Sequence, residues 1–157
     1  MKTSSENTIV SLDTTMGEVQ IELFDDSMPV TAGNFKKLAS EGFYDGVVFH
    51  RVIPGFMIQG GDPTGTGMGG PGYKIRDEFT GKNRNDRGAI SMANSGPDTG
   101  GSQFFISVVN NNFLDGKHPV FGKVVKGMEV VDAISKVQRS SADKPLKDVV
   151  IKKATVK

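Results

Sequence analysis

Two short apolar segments each place an amide beside an apolar side chain on one predicted strand face. Strand alternation puts Gln103 and Phe105 on the same side of the segment 103–108, and it puts Met57 and Gln59 on the same side of theirs. An apolar surface bordered by amides suits an extended peptide, because the amides can pair with its backbone. The same pattern also fits a second small core covered by a loop.

Other chemistries find little support in the residues. The segment 65–70 matches the dinucleotide fingerprint by its letters, but Pro71 follows where a phosphate-binding helix would have to begin. Ser102 lacks the second glycine of a nucleophile elbow. His50 and His118 are the only histidines, cysteine is absent, and no carboxylates stand at ligand spacing. We therefore expect no disulfide, no metal site and no cofactor.

About eight short strands and two helices must position these residues. Strands are predicted by alternation and turn residues over 9–12, 19–23, 47–53, 56–59, 88–92, 103–108, 119–124 and 149–156. One helix should begin at Pro29 and stop at Gly42, and a second fits 128–137. The 20 glycines suit tight turns between strands. This pattern favours an all-β fold, a closed barrel with helical plugs, because closure removes exposed sheet edges.

The composition favours a single domain with little net charge. We expect a polar N-terminal tail at 1–7 and one domain at 8–157. A net charge of +1 gives no strong attraction to nucleic acid or a membrane surface, and no apolar run reaches the roughly 18 residues of a spanning helix. The polar start of the chain argues against a secretory signal, so we expect a cytoplasmic location. We also expect a monomer.

Three blocks of sequence resemble the cyclophilins, in the order and spacing of that family. The blocks cover 49–62 (FHRVIPGFMIQGGD), 91–97 with 101–106, and 114–118 with 120–124. The resemblance runs from about Ile9 to the C-terminus. It implies an eight-stranded antiparallel barrel capped by two α-helices, and the activity of a peptidyl-prolyl cis-trans isomerase.

The resemblance also implies roles for individual residues around a bound proline peptide. Arg51 and Gln59 would hold the substrate backbone around the rotating bond. The proline ring would enter an apolar pocket whose wall and rim are Phe56, Met57, Phe105, Leu114 and His118, with Phe113 along the groove. The residues before the proline would meet a surface made of Gly67, Ala93, Asn94 and Gln103.

The chemistry of an X–Pro bond explains why an arginine is useful there. Rotation must break amide resonance, a barrier of about 18–20 kcal/mol. The twisted prolyl nitrogen regains its lone pair. A cation directed at this nitrogen therefore stabilises the twisted transition state more than the planar ground state. Lysine lacks the fixed donor fork of Arg51. Lowering this barrier by about 5–7 kcal/mol would accelerate rotation by roughly four to five decades. One charge-assisted hydrogen bond contributes about 1.5–3 kcal/mol of that lowering, so the apolar pocket, Phe56 included, must contribute the rest of it.

One groove position departs from many eukaryotic cyclophilins, which carry tryptophan where this chain has Phe113. Phenylalanine has no indole N–H donor. We therefore expect cyclosporin, the usual inhibitor of the family, to bind more weakly while activity persists. Ser95 in place of a common alanine is a change that the groove rim should tolerate. The short segment 63–72, together with Phe113, favours a microbial form.

Two alternatives to an isomerase of unfolded and folding proteins are a proline-motif binding module with little turnover and a general chaperone. The intact set of Arg51, Phe56, Gln59 and Phe105 argues against the first, because a non-catalytic relative need not keep the arginine. The sequence adds no repeat, further domain or charged tail that would favour the second.

Overall fold

One antiparallel sheet of nine strands carries most of the chain in the computed structural model, which describes residues 7–157. In chain order the strands are β1 (Ile9–Thr14), β2 (Gly17–Leu23), β3 (Val47–Val48), β4 (Arg51–Ile53), β5 (Met57–Gly60), β6 (Ala89–Met92), β7 (Phe104–Ser107), β8 (Val120–Lys126) and β9 (Val150–Val156). Across the sheet they follow the order β3-β9-β1-β2-β8-β6-β7-β5-β4. Two helices, α1 (Pro29–Ser40) and α2 (Met128–Ser135), contact the sheet. The all-β prediction is confirmed.

The two edge strands of the curled sheet, β3 and β4, are consecutive along the chain. β3 pairs with β9, β4 pairs with β5, and only Phe49 and His50 separate β3 from β4. The strand predicted over 47–53 is therefore two strands, because the segment has to pass from one partner strand to the other. The count is nine instead of eight, and within the described residues no ladder joins β3 to β4. The predicted closed barrel is thus a curled sheet whose edges are connected by the chain itself.

The inner face of the curled sheet carries the core. Val52, Ile58, Ile106 and Ile90 lie opposite one another across β4, β5, β7 and β6, and all four are fully buried. Phe35 of α1 joins this core and meets neighbouring aromatic rings at centroid distances of 5.1–5.4 Å. Each such aliphatic side chain stabilises the fold by roughly 1.5–3 kcal/mol, so the core determines how these strands are aligned.

The first helix begins and ends where the sequence predicts. Pro29 is its first residue, and Gly42, with φ +78°, follows its end. The N-cap residue makes no side-chain hydrogen bond. Instead, the Glu78 carboxylate accepts from the N–H groups of Val30 at 3.1 Å and Thr31 at 2.6 Å. A residue far along the chain therefore supplies the hydrogen-bond acceptor for backbone N–H groups in the first turn of α1, which have no partner within the helix.

The described part of the chain begins at the end of the predicted polar tail. All of that tail but Asn7 lies outside the described residues, and the Nδ2 of Asn7 donates to a Glu22 carboxylate oxygen at 2.9 Å. Neither α1 nor α2 has the length and apolar character needed to span a membrane, and residues 7–157 contain no other helix that does.

Gly61 fixes the point where β5 passes into the glycine-rich loop. Its φ is +94°, and a Cβ atom there would lie 2.3 Å from the carbonyl oxygen of Ser102. The Ser102 hydroxyl donates to the Gly61 carbonyl at 2.6 Å. The start of the loop is therefore held against the residue that precedes Gln103, and only glycine fits this approach.

We expect Gly61→Ala to lower the free energy of unfolding by about 2–3 kcal/mol, because alanine is strained at this φ and collides with backbone. Urea denaturation of the purified variant measures this loss. Gly33→Ala is the control: Gly33 lies within α1, a methyl group there would meet nothing within 4 Å, and its φ is not positive. It should gain up to about 1 kcal/mol from helix propensity. A Gly61→Ala protein as stable as wild type would contradict this account.

Candidate active site

The strand register brings Arg51 and Gln59, two of the three residues expected to be catalytic, into one row with Phe105. Arg51 on β4 lies opposite Gln59 on β5, and Gln59 lies opposite Phe105 on β7. The neighbouring residues along each strand face the core, so this row lies on the outer face of the sheet. Residues 51 and 105 are thus brought to either side of Gln59 by pairing alone.

The apolar residues next to this row form a buried floor. Met57 is 2% exposed and Phe105 is 4% exposed, yet neither belongs to the main core cluster. The outer face therefore carries a second apolar cluster, and amides border it, an arrangement that both interpretations of the sequence include. A floor that excludes water strengthens any electrostatic interaction made above it.

Arg51 is exposed, and it makes no hydrogen bond or ion pair within residues 7–157. Arginine keeps its charge and offers five N–H donors in a planar fork. An unpaired guanidinium beside a buried apolar floor can donate to an acceptor on a bound molecule without first breaking an internal contact.

The two predicted glutamines are hydrogen-bonded to each other. Gln59 Nε2 donates to Gln103 Oε1 at 3.0 Å, and Gln103 Nε2 donates to the carbonyl oxygens of Gly67 at 2.9 Å and Gly69 at 3.0 Å. Gln103 therefore uses both amide protons on the loop, which fixes its orientation. The Oε1 of Gln59 accepts no hydrogen bond from the described part of the chain and can accept one from a ligand.

Two aromatic contacts join residues of the predicted proline pocket in pairs. Phe56 stacks on Phe113 with ring centroids 6.0 Å apart, and Phe113 is 65% exposed. His118 meets the ring of Phe105 edge-on at 5.3 Å. Its Nδ1 donates to the carbonyl oxygen of Met92 at 3.1 Å, which sets the tautomer. Leu114, half-buried, closes a short 3-10 turn beside this cluster.

A cavity of about 680 Å³ runs past the glutamines and is lined by Gly67, Ala93 and Asn94 among others. The Asn94 side chain donates to the carbonyl oxygen of Lys117 at 2.9 Å. Its backbone N–H and carbonyl make no hydrogen bond within the described residues, so both can pair with an extended peptide. The N–H of Ala93 is already bonded to the Gln103 carbonyl at 3.0 Å, and Ala93 serves as wall.

Three contributors to the site were missed at the sequence level. Asn111 Nδ2 donates to the Phe56 carbonyl at 2.9 Å, and Tyr73 lines the cavity. Asp62 is fully buried and accepts hydrogen bonds from four backbone N–H groups of the glycine-rich loop. Only Asp62 left a sequence signal, since aspartate two residues before threonine is typical of an Asx-turn.

Two buried ionisable groups lie beneath this loop. Burial raises the pKa of Asp62, but the hydrogen bonds from Gly69, Thr64 and Gly67 outweigh it and hold the pKa well below its usual range. Both ring nitrogens of His50 lack a hydrogen-bond partner. Burial lowers the pKa of His50, as does the charge of Arg51, although the Asp62 carboxylate opposes them. His50 therefore stays neutral in the folded protein to a lower pH than in the unfolded chain.

This shift predicts a pH dependence of stability. Well above its ordinary pKa of about 6.5, His50 is neutral in both states. As the pH falls through that value, the unfolded chain binds a proton that the folded protein does not, so the free energy of unfolding decreases. We expect His50→Gln to remove this contribution. Urea denaturation of both proteins at pH 8 and pH 5.5 measures it, and the wild type should lose more stability than the variant. Equal losses would contradict the buried neutral state of His50.

Comparisons with known proteins agree with this geometry. Residues 9–156 match the sequence profile of the family described as cyclophilin type peptidyl-prolyl cis-trans isomerase/CLD. The chain is 47% identical over 151 residues to peptidyl-prolyl cis-trans isomerase CYP18-1 of Arabidopsis thaliana, covering 94% of each chain. It is 48% identical over 149 residues to peptidyl-prolyl cis-trans isomerase ppi1 of Schizosaccharomyces pombe, covering 92% of this chain and 96% of the other.

Solved structures give the same result. A cyclophilin type peptidyl-prolyl cis-trans isomerase of Cryptosporidium parvum superposes with a TM-score of 0.92 at 37% identity, over 96% of this chain and 97% of the other. The same Cryptosporidium parvum protein, crystallised in the presence of the dipeptide Ala-Pro, gives a TM-score of 0.91 at 37% identity, over 95% and 98%. No group of three or more His, Cys, Asp or Glu side chains able to hold a metal ion occurs among residues 7–157.

Proposed function

The chain belongs to the cyclophilin-type peptidyl-prolyl cis-trans isomerases, and from this premise we propose that Arg51 is the centre of its active site. The protein binds proline-containing peptides and accelerates rotation about the X–Pro bond. The observation that supports the role of Arg51 is the outer row of Arg51, Gln59 and Phe105, in which the cation has no partner among the described residues.

The substrate backbone lies along the border between the groove and the proline pocket. The backbone groups of Asn94 pair with the residues before the proline, and those residues extend over Ala93 into the cavity beside Gly67. Gln59 holds the peptide group next to the rotating bond, and Gln103 keeps Gln59 in place through the 3.0 Å hydrogen bond between them. Contacts on one side of the bond therefore stay fixed while the other side rotates.

The proline ring enters the apolar pocket of Met57, Phe105 and Leu114, with Phe56 and His118 at its sides. Burial of the ring removes water from the amide, so its resonance is less stabilised by solvent. As the bond twists, the prolyl nitrogen becomes a hydrogen-bond acceptor, and Arg51 donates to it. No bond is broken and no proton is transferred, so the chemistry requires neither nucleophile nor metal.

The first test replaces the cation. We expect Arg51→Ala to lower kcat/KM by about 10- to 100-fold, the equivalent of one charge-assisted hydrogen bond, with an unchanged fold because Arg51 makes no hydrogen bond or ion pair with the described residues. Cis-to-trans relaxation of an X-Pro peptide measures the rate. Arg51→Lys should recover little, because an ammonium lacks the planar fork.

Arg87→Ala is the matched control, since Arg87 forms a bidentate ion pair with Asp132 at 2.7 and 2.6 Å and has no place in the site. That variant should keep the wild-type rate. Equal rates in wild type and Arg51→Ala would remove Arg51 from the mechanism. Wild-type rates equal to buffer would favour the proline-motif binding module or the chaperone instead.

We further propose that cyclosporin binds in the same groove, with an affinity limited by Phe113. Phe113 is exposed and stacks on Phe56 but has no N–H to donate. Phe113→Trp should tighten binding by up to about tenfold, since one neutral hydrogen bond contributes about 1 kcal/mol. Calorimetric titration measures this. Val125→Trp, at a residue of β8 that is 46% exposed and does not line the groove, should leave the affinity unchanged, and an equal gain there would contradict the role of Phe113.

Proposed clients are unfolded and folding proteins, because slow X–Pro isomerisation limits folding and this activity relieves it. The expected monomer, the cytoplasmic location, and the lack of nucleic-acid and membrane binding stay predictions. Sedimentation of the purified protein tests the first, and fractionation of the source cells tests the second.

A further inference from the structure

The Asp62 carboxylate holds the glycine-rich loop together from within. Its Oδ1 accepts from the N–H and the hydroxyl of Thr64, both at 2.8 Å. Its Oδ2 accepts from the N–H groups of Thr66 at 3.1 Å, Gly67 at 2.6 Å and Gly69 at 3.1 Å. Asp62 is 0% exposed and forms no salt bridge with any described residue. A buried negative charge is thus compensated mainly by backbone N–H groups, as in an anion-binding nest.

Only a carboxylate fits this arrangement, because every group around it is a donor. An asparagine in its place would direct an NH₂ group towards N–H groups. The hydrogen bonds that one of the two carboxylate oxygens accepts would then be lost, because an NH₂ group cannot accept them. The loop conformation therefore depends on the Asp62 carboxylate as well as on its own glycines, which have φ values of +69° at Gly65 and +88° at Gly67.

The residues that Asp62 holds are also the ones that orient the glutamines. Gly67 and Gly69 give their N–H groups to Asp62 and their carbonyl oxygens to Gln103. Gln103 in turn accepts from Gln59, which lies opposite Arg51. Resting on the proposed roles of Gln59 and Arg51, we propose that Asp62 is a positioning residue for isomerisation, acting through the loop and Gln103 on Gln59.

The consequence for the reaction follows from geometry. Removing the carboxylate releases two carbonyl oxygens from fixed positions, and Gln103 then loses the contacts that set its amide. A displacement of about 1 Å in a substrate-holding group can cost on the order of 100-fold in rate, and a partial loss of orientation costs less. We expect Asp62→Asn to lower kcat/KM by about tenfold at a temperature where the variant is folded.

Stability alone would not produce this effect, and Glu78→Gln separates the two. Glu78 also accepts backbone N–H groups, but at the start of α1. That variant should lose stability and keep the wild-type kcat/KM, whereas Asp62→Asn should lose both. Because hydrogen bonds hold the pKa of Asp62 well below its usual range, the ratio of the wild-type and Asp62→Asn rates should stay constant from pH 5 to pH 8.

A double-mutant cycle tests the route of the effect. If Asp62 acts through Gln103, Asp62→Asn should reduce kcat/KM by less than twofold in a Gln103→Ala background, against about tenfold in the wild type. Full additivity of the two substitutions would overturn the proposed route. Wild-type kcat/KM in folded Asp62→Asn would overturn the proposal itself.

A second variant disturbs the same contact without changing Asp62. A Cβ atom at Gly69 would lie 2.1 Å from Asp62 Oδ1, while one at Gly70 would meet nothing within 4 Å, and neither residue has a positive φ. Gly69→Ala should therefore reproduce the loss of activity. In NMR spectra it should also shift the Gly67 amide proton and the side-chain amide of Gln103. Gly70→Ala should leave the Gly67 amide proton where it is in the wild type.

The outcome for Asp62 can be told apart from the outcome for the active site as a whole. Loss of activity in Arg51→Ala with wild-type activity in both Asp62→Asn and Gly69→Ala would reject the positioning role alone. Full activity in Arg51→Ala would reject the assignment of the catalytic row on which the positioning role rests. Activity loss in Gly69→Ala without a change in the Gln103 amide would also reject the route through Gln103.

Discussion

The register between β4 and β5 is the constraint on which the site depends. The alignment that puts Ile58 opposite Val52 in the core also puts Gln59 opposite Arg51 on the outer face. A slip of one residue would exchange the two faces, and the loss of roughly 1.5–3 kcal/mol for each exposed core side chain opposes it. The catalytic geometry is therefore specified by apolar residues that never contact the substrate. The functional row itself is free to keep groups that add nothing to stability, such as an unpaired guanidinium.

Some polar groups around this row make hydrogen bonds within the protein, and others remain available to hydrogen-bond a ligand. Gln103 gives both amide protons to the loop, and the Asn94 side chain is held by Lys117. These bonds remove alternative orientations of the two side chains before a ligand binds, so binding does not have to order them. The guanidinium of Arg51 and the backbone groups of Asn94 have no partner in the described residues, but water solvates them until a peptide arrives. The site is thus preorganised where it must be rigid and unpaired where it must bind.

The sequence was sufficient for features that depend on neighbours along the chain. Alternation predicted the shared face of Gln103 and Phe105, and Pro29 predicted the start of α1. Contacts between residues far apart in the chain could not be predicted from the sequence. Glu78 caps a helix 48 residues earlier, and no local sequence pattern indicates that contact. The split of the predicted strand at His50 also needed the tertiary pairing of β9 and β5. The role of Arg51 rested on long family blocks, since a single arginine on a strand is compatible with many surfaces.

The groups of the row itself, and the two buried ionisable groups beneath the glycine-rich loop, keep one charge state across the neutral pH range. Rotation about an amide involves no proton transfer, so nothing is gained from a group that titrates near pH 7. Arginine and glutamine do not titrate there. The two buried ionisable groups nearby have pKa values shifted in the direction that keeps one state, with Asp62 ionised and His50 neutral. Dipoles and charges that are already set before the bond twists need no reorganisation in the transition state. A fixed environment of this kind lets one guanidinium favour the twisted amide over the planar one, with the apolar floor beneath it strengthening that preference.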